Sequence, residues 1–199
     1  MSKQSQFVCH RIKQDGPEPG ERPAGPMVEW VVRRIRARGA PPLDEILGPD
    51  AVLVPLPRSA PFPPNQKNVL WVPDRIAQAL VAEGWGHTVE PMLARVTLVQ
   101  KSAFAESGQR PGPQAHLDSM TVTRGLTVPE RIVLIDDVVT KGATLLAGAS
   151  LIRGVFPGIQ VDCFALVRTL GLQPEVDRIV DPVVGTIARN PWGGADRRP

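Results

Sequence analysis

The sequence predicts an α/β fold, a parallel sheet covered by helices on both faces and carried by one main domain. Three observations predict it. Several apolar runs rich in β-branched residues are too short for helices, as at 132–135 (I-V-L-I), and fit buried strands. Stretches with a helical repeat separate them, and strands that alternate with helices pair in parallel because each helix carries the chain back along the sheet. One such strand ends in two adjacent carboxylates and a glycine-bearing turn, and folds of this class place ligands at the carboxyl ends of their strands.

In chain order, residues 1–26 are polar and punctuated by Gly16, Pro17, Pro19, Gly20, Pro23 and Pro26, which predicts an irregular arm. Residues 28–38 follow as a helix. Val28, Val31, Val32 and Ile35 share one side of it, and Arg33, Arg34, Arg36 and Arg38 lie mostly on the other. That basic face suits a nucleic acid, although a solvated helix face is the commoner origin of such a pattern. Residues 51–60 (A-V-L-V-P-L-P-R-S-A) form a strand running into a proline-bearing loop. Residues 72–83 form a helix with Pro73 in its first turn, Val72, Ile76 and Leu80 facing inward, and Gly84 as its stop. Residues 87–93 and 159–167 fit further core strands. The segment 100–117 is polar, broken by Gly and Pro, and long for a loop inside a compact domain, a length that marks a functional lid or disorder. Residues 143–153 place Leu145, Ala149 and Ile152 on one face of a helix that Gly154 would end. Trp30, Trp71 and Trp85 lie in or beside apolar segments and are expected to pack. Trp192, in a Pro/Gly-rich tail, suits a dimer contact or a cover over an acceptor equally well.

The chain has 199 residues, enough for a well-buried single core. Its formal net charge is only +3, which permits anionic ligands without demanding nucleic acid. The two cysteines, Cys9 and Cys163, are far apart, and no apolar stretch approaches the length of a signal peptide or membrane span. A reduced, cytoplasmic protein with no membrane partner is the expectation. Cys9 and His10 have no companion ligands in sequence for a metal. Three parts follow: an arm with its basic helix (1–40), a core (41–170) and a C-terminal extension (171–199).

The most telling segment is 131–144, R-I-V-L-I-D-D-V-V-T-K-G-A-T. Asp136 and Asp137 stand where the strand leaves the sheet, and Thr140, Lys141 and Gly142 make a tight loop before the helix. A helix N-terminus offers four amide donors without intrahelical partners at the positive end of the macrodipole, so a phosphate fits there. The dipole adds roughly 0.3 to 1 kcal/mol for each such charge, so hydrogen bonds from amides and from Thr140 and Thr144 must supply the rest. Two carboxylates would repel a phosphate lying on them; their partners are donors such as sugar hydroxyls, or a divalent cation. The combination points to a ribose phosphate.

These residues resemble the signature of the type I phosphoribosyltransferases: an apolar strand, two acids, two apolar residues, then Thr-Thr-Gly-x-Thr, with Lys141 here in place of the second Thr. The resemblance spans residues 43–170 and is strong in this one motif. It implies that Asp136 and Asp137 contact the ribose hydroxyls of phosphoribosyl pyrophosphate. Val138, Val139, Thr140, Lys141, Gly142, Ala143 and Thr144 would wrap its 5′-phosphate. Pro57, Arg58 and Ser59 are similar in position to the family's pyrophosphate loop, with Arg58 on the diphosphate, a proline-stiffened surface turn being the alternative for that segment. The spacing around V-P-L-P-R, Asn65-Gln66, Leu93-Ala-Arg95, Thr97, Gln100 and Arg110 looks most like the competence-associated ComF branch. Departures from it include Phe62-Pro63-Pro64, Pro111-Gly112-Pro113 and the absence of a Cys-rich zinc module. The lid would hold Lys101 and Arg110 as candidates to reach the leaving pyrophosphate, with His116 a weaker one; a solvated loop charge is the alternative for each.

The resemblance thus implies a type I phosphoribosyltransferase-like sheet with a small variable hood from the two termini. It also implies an enzyme of nucleotide metabolism: a glycosyltransferase moving the phosphoribosyl group to a small acceptor, such as a nucleobase, with release of pyrophosphate. Mg²⁺ would be held mainly by the ligand's own oxygens, with Asp136 and Asp137 acting on it indirectly, and a homodimer is expected. Two other functions remain open on the sequence. One is a non-catalytic module that senses phosphoribosyl pyrophosphate. The other is a competence-type accessory protein that binds single-stranded DNA through Arg33, Arg34, Arg36 and Arg38.

Overall fold

A computed structural model describes residues 3–16, 26–66, 69–100, 111–125, 129–169 and 182–198. Its centre is a four-stranded, all-parallel sheet of β1 (Val52–Pro55), β2 (Thr88–Val89), β5 (Arg131–Val139) and β6 (Gln160–Arg168), in the spatial order β2-β1-β5-β6. The short apolar runs at 52–54 and 132–135 form its two central strands, buried on both sides as parallel strands between helix layers must be. Their register pairs Val52 with Ile132 and Pro55 with Ile135. Pro55 is tolerated in a central strand because β2 has ended: β2 pairs only with Val52 and Leu53, so the ladder toward β2 needs no donor from Pro55.

Six helices are described: α1 (Lys3–Gln14), α2 (Met27–Arg38), α3 (Pro41–Ile46), α4 (Val72–Ala82), α5 (Pro113–Asp118) and α6 (Ala143–Val155). Alternation along β5 divides the core. Val133 and Ile135 pack with Ile12 of α1, Val28 and Val32 of α2, and Ile76 and Leu80 of α4. Ile132 and Leu134 pack on the opposite face with Leu145, Ala149 and Ile152 of α6. The inward-facing residues expected for the three long helices are therefore the buried or partly buried ones. Trp85 is buried with its indole N–H donating to Asp44 Oδ1 at 2.7 Å, and Trp71 donates to the Leu56 carbonyl at 2.7 Å, so these aromatics bury surface without orphaning their donors.

This layering creates a switch point. From β1 the chain crosses through α4 on one face to β2; from β5 it crosses through α6 on the other face to β6. The loops leaving the adjacent strands β1 and β5 thus depart in opposite directions and open a crevice at the carboxyl edge of the sheet, where ligands of doubly wound folds bind.

Several expectations need correction. Residues 3–14 of the supposed irregular arm form α1; Val8 and Ile12 are four apart in sequence, a helical spacing, and Ile12 is only 1% exposed. Strand β5 continues through Asp136 and Asp137 to Val139, because β6 is long enough to pair with it as far as Arg168. The segment 87–93 splits. Only Thr88–Val89 joins the central sheet, whereas β3 (Leu93–Arg95) pairs antiparallel with β4 (Met120–Val122). Gly154 lies inside α6, which ends at Val155 with Phe156 as its cap; burial of Phe156 and its amide bond to the Ile152 carbonyl at 2.8 Å offset the roughly 1 kcal/mol that a helical glycine costs. The C-terminal extension contributes a hairpin of β7 (Thr186–Arg189) and β8 (Ala195–Arg198). Of the expected lid, residues 101–110, with Lys101 and Arg110, lie outside the described residues, and 113–118 form α5. No described helix is long and apolar enough to cross a membrane.

Candidate functional site

The carboxyl end of β5 and the start of α6 line a cavity of about 360 Å³. Its floor is the predicted loop: Val138, Val139, Thr140, Lys141, Gly142, Ala143 and Thr144 all face it, together with Asp136. Pro111, Gly112 and His116 close one side, and Asn190, Gly194 and Ala195 of the β7–β8 hairpin close another. Asp137, Pro57, Arg58 and Ser59 are not among its walls.

Gly142 makes the loop. It caps α6 in the left-handed conformation (φ 83°), and the first intrahelical bond runs from the Leu146 amide to its carbonyl at 2.9 Å. Among the described residues, the amides of Thr140, Lys141 and Gly142 donate to no other group, and those of Ala143 and Thr144 belong to the first turn of α6. The cup is partly walled by an apolar side chain: a Cβ on Gly142 would come within 2.6 Å of Ile187 Cδ1. Arg197 fixes the hairpin from behind, donating to the Thr169 carbonyl at 2.7 Å and to the Val139 carbonyl at 3.4 Å. Gly142→Ala is therefore expected to cost about 1 to 3 kcal/mol, from left-handed strain and a displaced hairpin. A melting temperature equal to the parent's would show that Ile187 does not press on the loop.

The two carboxylates divide between faces. Asp136 continues the α6 side of β5 and borders the cavity, while Asp137 continues the side covered by α1, where it contributes to raising the Cys9 thiol pKa. Each bonds an adjacent amide: the Asp137 N–H donates to Asp136 Oδ1 at 2.9 Å, and the Val138 N–H to Asp137 Oδ1 at 2.8 Å. Asp136 is partly exposed as a residue, yet desolvation holds its carboxyl pKa well above the usual range. The neighbouring Asp137 pushes in the same direction, and Lys13 of α1 opposes both. One amide and the Lys13 charge do not offset that desolvation, so a ligand that brings further donors or a cation gains from meeting this group.

The diphosphate-loop candidates lie at the end of the adjacent strand. Leu56 donates to the Ile135 carbonyl at 2.9 Å, after which Pro57, Arg58 and Ser59 turn away beside the crevice. The Arg58 guanidinium stands 5.7 Å from the Phe62 ring, and the Ser59 carbonyl accepts from Val99 at 2.8 Å. Arg95 sits beneath this loop. It occupies the inward position of β3, is 7% exposed, and donates from Nε to the Arg58 carbonyl at 2.9 Å and from a terminal nitrogen to Ser119 Oγ at 2.5 Å. No ion pair to Arg95 occurs among the described residues. Burial lowers its pKa.

On the basic helix, Arg36 is engaged within the protein, paired with Asp44 at 2.7 Å and stacked 4.8 Å from the Trp85 ring; Arg34 stacks 5.2 Å from Trp30. Cation–π packing against the protein's own tryptophans accounts for part of this arginine-rich face. Trp192, at the hairpin tip, is 88% exposed.

The hairpin's contact with this loop does not follow from the sequence, which offers His116 only as a weaker candidate to reach the leaving pyrophosphate and Arg95 only within the resemblance. Asn190-Pro191 and Gly193-Gly194 between two four-residue runs are turn signals that would have found the hairpin. No protein-family model matches the chain, and no curated protein matches it.

Proposed function

We propose that the chain binds phosphoribosyl pyrophosphate with Mg²⁺ and transfers the phosphoribosyl group to a small acceptor, releasing pyrophosphate, as a type I phosphoribosyltransferase does. One observation carries this reading. The undonated amides of Thr140, Lys141 and Gly142 open the cavity at the N-terminus of α6, and Asp136, a carboxylate short of donors, borders the same cavity. Amides and the dipole suit a phosphate; a carboxylate a few residues away suits the hydroxyls of the sugar that carries it.

In this reaction the bond from the anomeric carbon to the diphosphate oxygen breaks, the electron pair leaves with pyrophosphate, and the acceptor's lone pair forms the new bond. The chain's contribution is positioning and electrostatics. The loop 138–144 anchors the 5′-phosphate, Asp136 orients the ribose hydroxyls, and Arg58 offsets charge on the departing diphosphate from the neighbouring strand end. Asp136 and Asp137 offer two carboxylates on opposite faces, too few for an all-protein cage. This fits a magnesium ion held chiefly by ligand oxygens, where it would neutralise diphosphate charge.

The test is calorimetric titration with phosphoribosyl pyrophosphate, with and without Mg²⁺, followed by a nucleobase panel scored for pyrophosphate release. Magnesium-dependent binding with turnover is expected. Binding without turnover on any base would favour a sensor of the same ligand, and no binding would overturn the reading.

A further inference from the structure

Among the described residues, His116 is the one buried ionisable side chain on the cavity wall that the chemistry above leaves unused. It is 7% exposed, its Nε2 lies 3.4 Å from Thr144 Oγ1, and its Nδ1 has no partner among the described residues. Burying an imidazole with one nitrogen unpaired is costly. Its backbone is fixed from the far side: Ser119 Oγ donates to the carbonyls of Ala115 and His116 at 2.7 and 3.1 Å and is itself held by Arg95. The ring thus lies against the second residue of α6, within the first turn after the Gly142 cap.

We propose that His116 aims the Thr144 hydroxyl at the phosphate of a sugar-phosphate ligand, an inference that rests on the phosphate-binding reading of the 138–144 loop. The hydroxyl has one proton to give. If the imidazole carries its proton on Nε2, it donates to Thr144 Oγ1 and leaves the hydroxyl proton for a phosphate oxygen. With the proton on Nδ1, the hydroxyl would be spent on Nε2 and a donor would be buried without an acceptor. The phosphate therefore selects the Nε2–H form and draws the 3.4 Å contact shorter. The ring has a single proton to place, because desolvation, and then the Arg95 charge, lower the His116 pKa to about 4. Lys141 and Asp136 are the other charged groups on the cavity wall.

Long-range ¹H–¹⁵N spectra of the histidine rings test this on the unaltered protein, with ribose 5-phosphate as probe and ribose as control. Only three histidines need assignment. The His116 ring should be neutral at pH 7, and its Nε2 signal should shift with ribose 5-phosphate and not with ribose. His116→Phe and Thr144→Val should each weaken ribose 5-phosphate about tenfold, the double variant little more than either alone, and His116→Gln, which keeps an amide donor near the Nε2 position, should recover most of the loss. An unmoved ring signal while ribose 5-phosphate binds, or parental affinity in folded His116→Phe, would overturn the proposal and leave the phosphate site standing. If neither ribose 5-phosphate nor phosphoribosyl pyrophosphate binds the unaltered protein, the phosphate site falls and this inference with it.

Discussion

Asp136→Asn is expected to give a protein that melts at a higher temperature than its parent at pH 7 and no longer binds phosphoribosyl pyrophosphate. Both halves follow from the same electrostatics. Desolvation, with Asp137 next in chain, raises the Asp136 pKa well above its free value. A carboxyl with a raised folded pKa contributes fully below its unfolded pKa, near 3.8, and that contribution is lost as pH rises through the folded pKa. At neutral pH the parent therefore carries a cost, either of holding a desolvated anion or of taking up a proton, that the neutral amide does not. Asn also retains an oxygen to accept the Asp137 N–H now bonded at 2.9 Å. Binding fails for the complementary reason, since the hydroxyls and magnesium of the ligand are attracted to an anion and only weakly to an amide. The stability difference between variant and parent should shrink as pH is lowered toward 4. Calorimetry on the double variant Asp136→Asn with Asp137→Asn should likewise show a folded protein with no sugar-diphosphate affinity. A folded Asp136→Asn protein that binds normally would remove this residue from the site, and a lower melting temperature would mean that the carboxylate is a structural partner.

How much of this was legible in the sequence depends on how local each signal was. The β5–loop–α6 unit was legible because strand burial, the glycine turn and the helical repeat lie in one short stretch, and the expected residues Asp136 and Val138 to Thr144 do line one cavity. The division of Asp136 and Asp137 between faces follows from two-residue alternation once the strand is known to continue; it was missed because paired acids look like a strand's end. The helix α1 was hidden by the prolines and glycines that follow it, which dominated the composition of the whole arm. That segments 100–117 and 171–199 would cover the site was expected, but that they do so as the helix α5 and the β7–β8 hairpin was not legible. Contacts such as Ile187 on Gly142, or Arg189 donating to Gln114 at 3.1 Å across 75 residues, are set by tertiary packing and leave no trace in spacing. Arg95 was visible only as part of a resemblance; that it faces inward requires knowing that β3 alternates buried, exposed, buried.

Arg95→Met should leave the protein folded, with stability changed by no more than about 1 to 2 kcal/mol, while phosphoribosyl pyrophosphate affinity falls tenfold or more. Replacing a buried charge that lacks an ion-pair partner by an apolar chain of similar length recovers its desolvation cost, which offsets the hydrogen bonds lost. Those losses are small in number. Ser119 Oγ keeps its bonds to the Ala115 and His116 carbonyls, and the Arg58 carbonyl lies on a loop that is not fully buried, so water can reach it. What disappears is, among the described residues, the one side chain that ties the loop after β1 to the end of α5, and with it the fixed relation between the Arg58 segment and the His116–Thr144 contact. A ligand whose two phosphate groups must be held at once, one by each strand-end loop, loses the most from that change; ribose 5-phosphate, which engages only the 138–144 loop, should lose less. The ring of His116 reports the same event independently. Removing the Arg95 charge raises its pKa from about 4, and continued burial keeps it below the free value of 6.5. Arg95→Lys restores the charge without the planar fork, so it should return the His116 pKa toward the parent value but not the diphosphate affinity. Equal losses for ribose 5-phosphate and phosphoribosyl pyrophosphate in Arg95→Met would show that the guanidinium supports the cavity as a whole and does not couple its two loops.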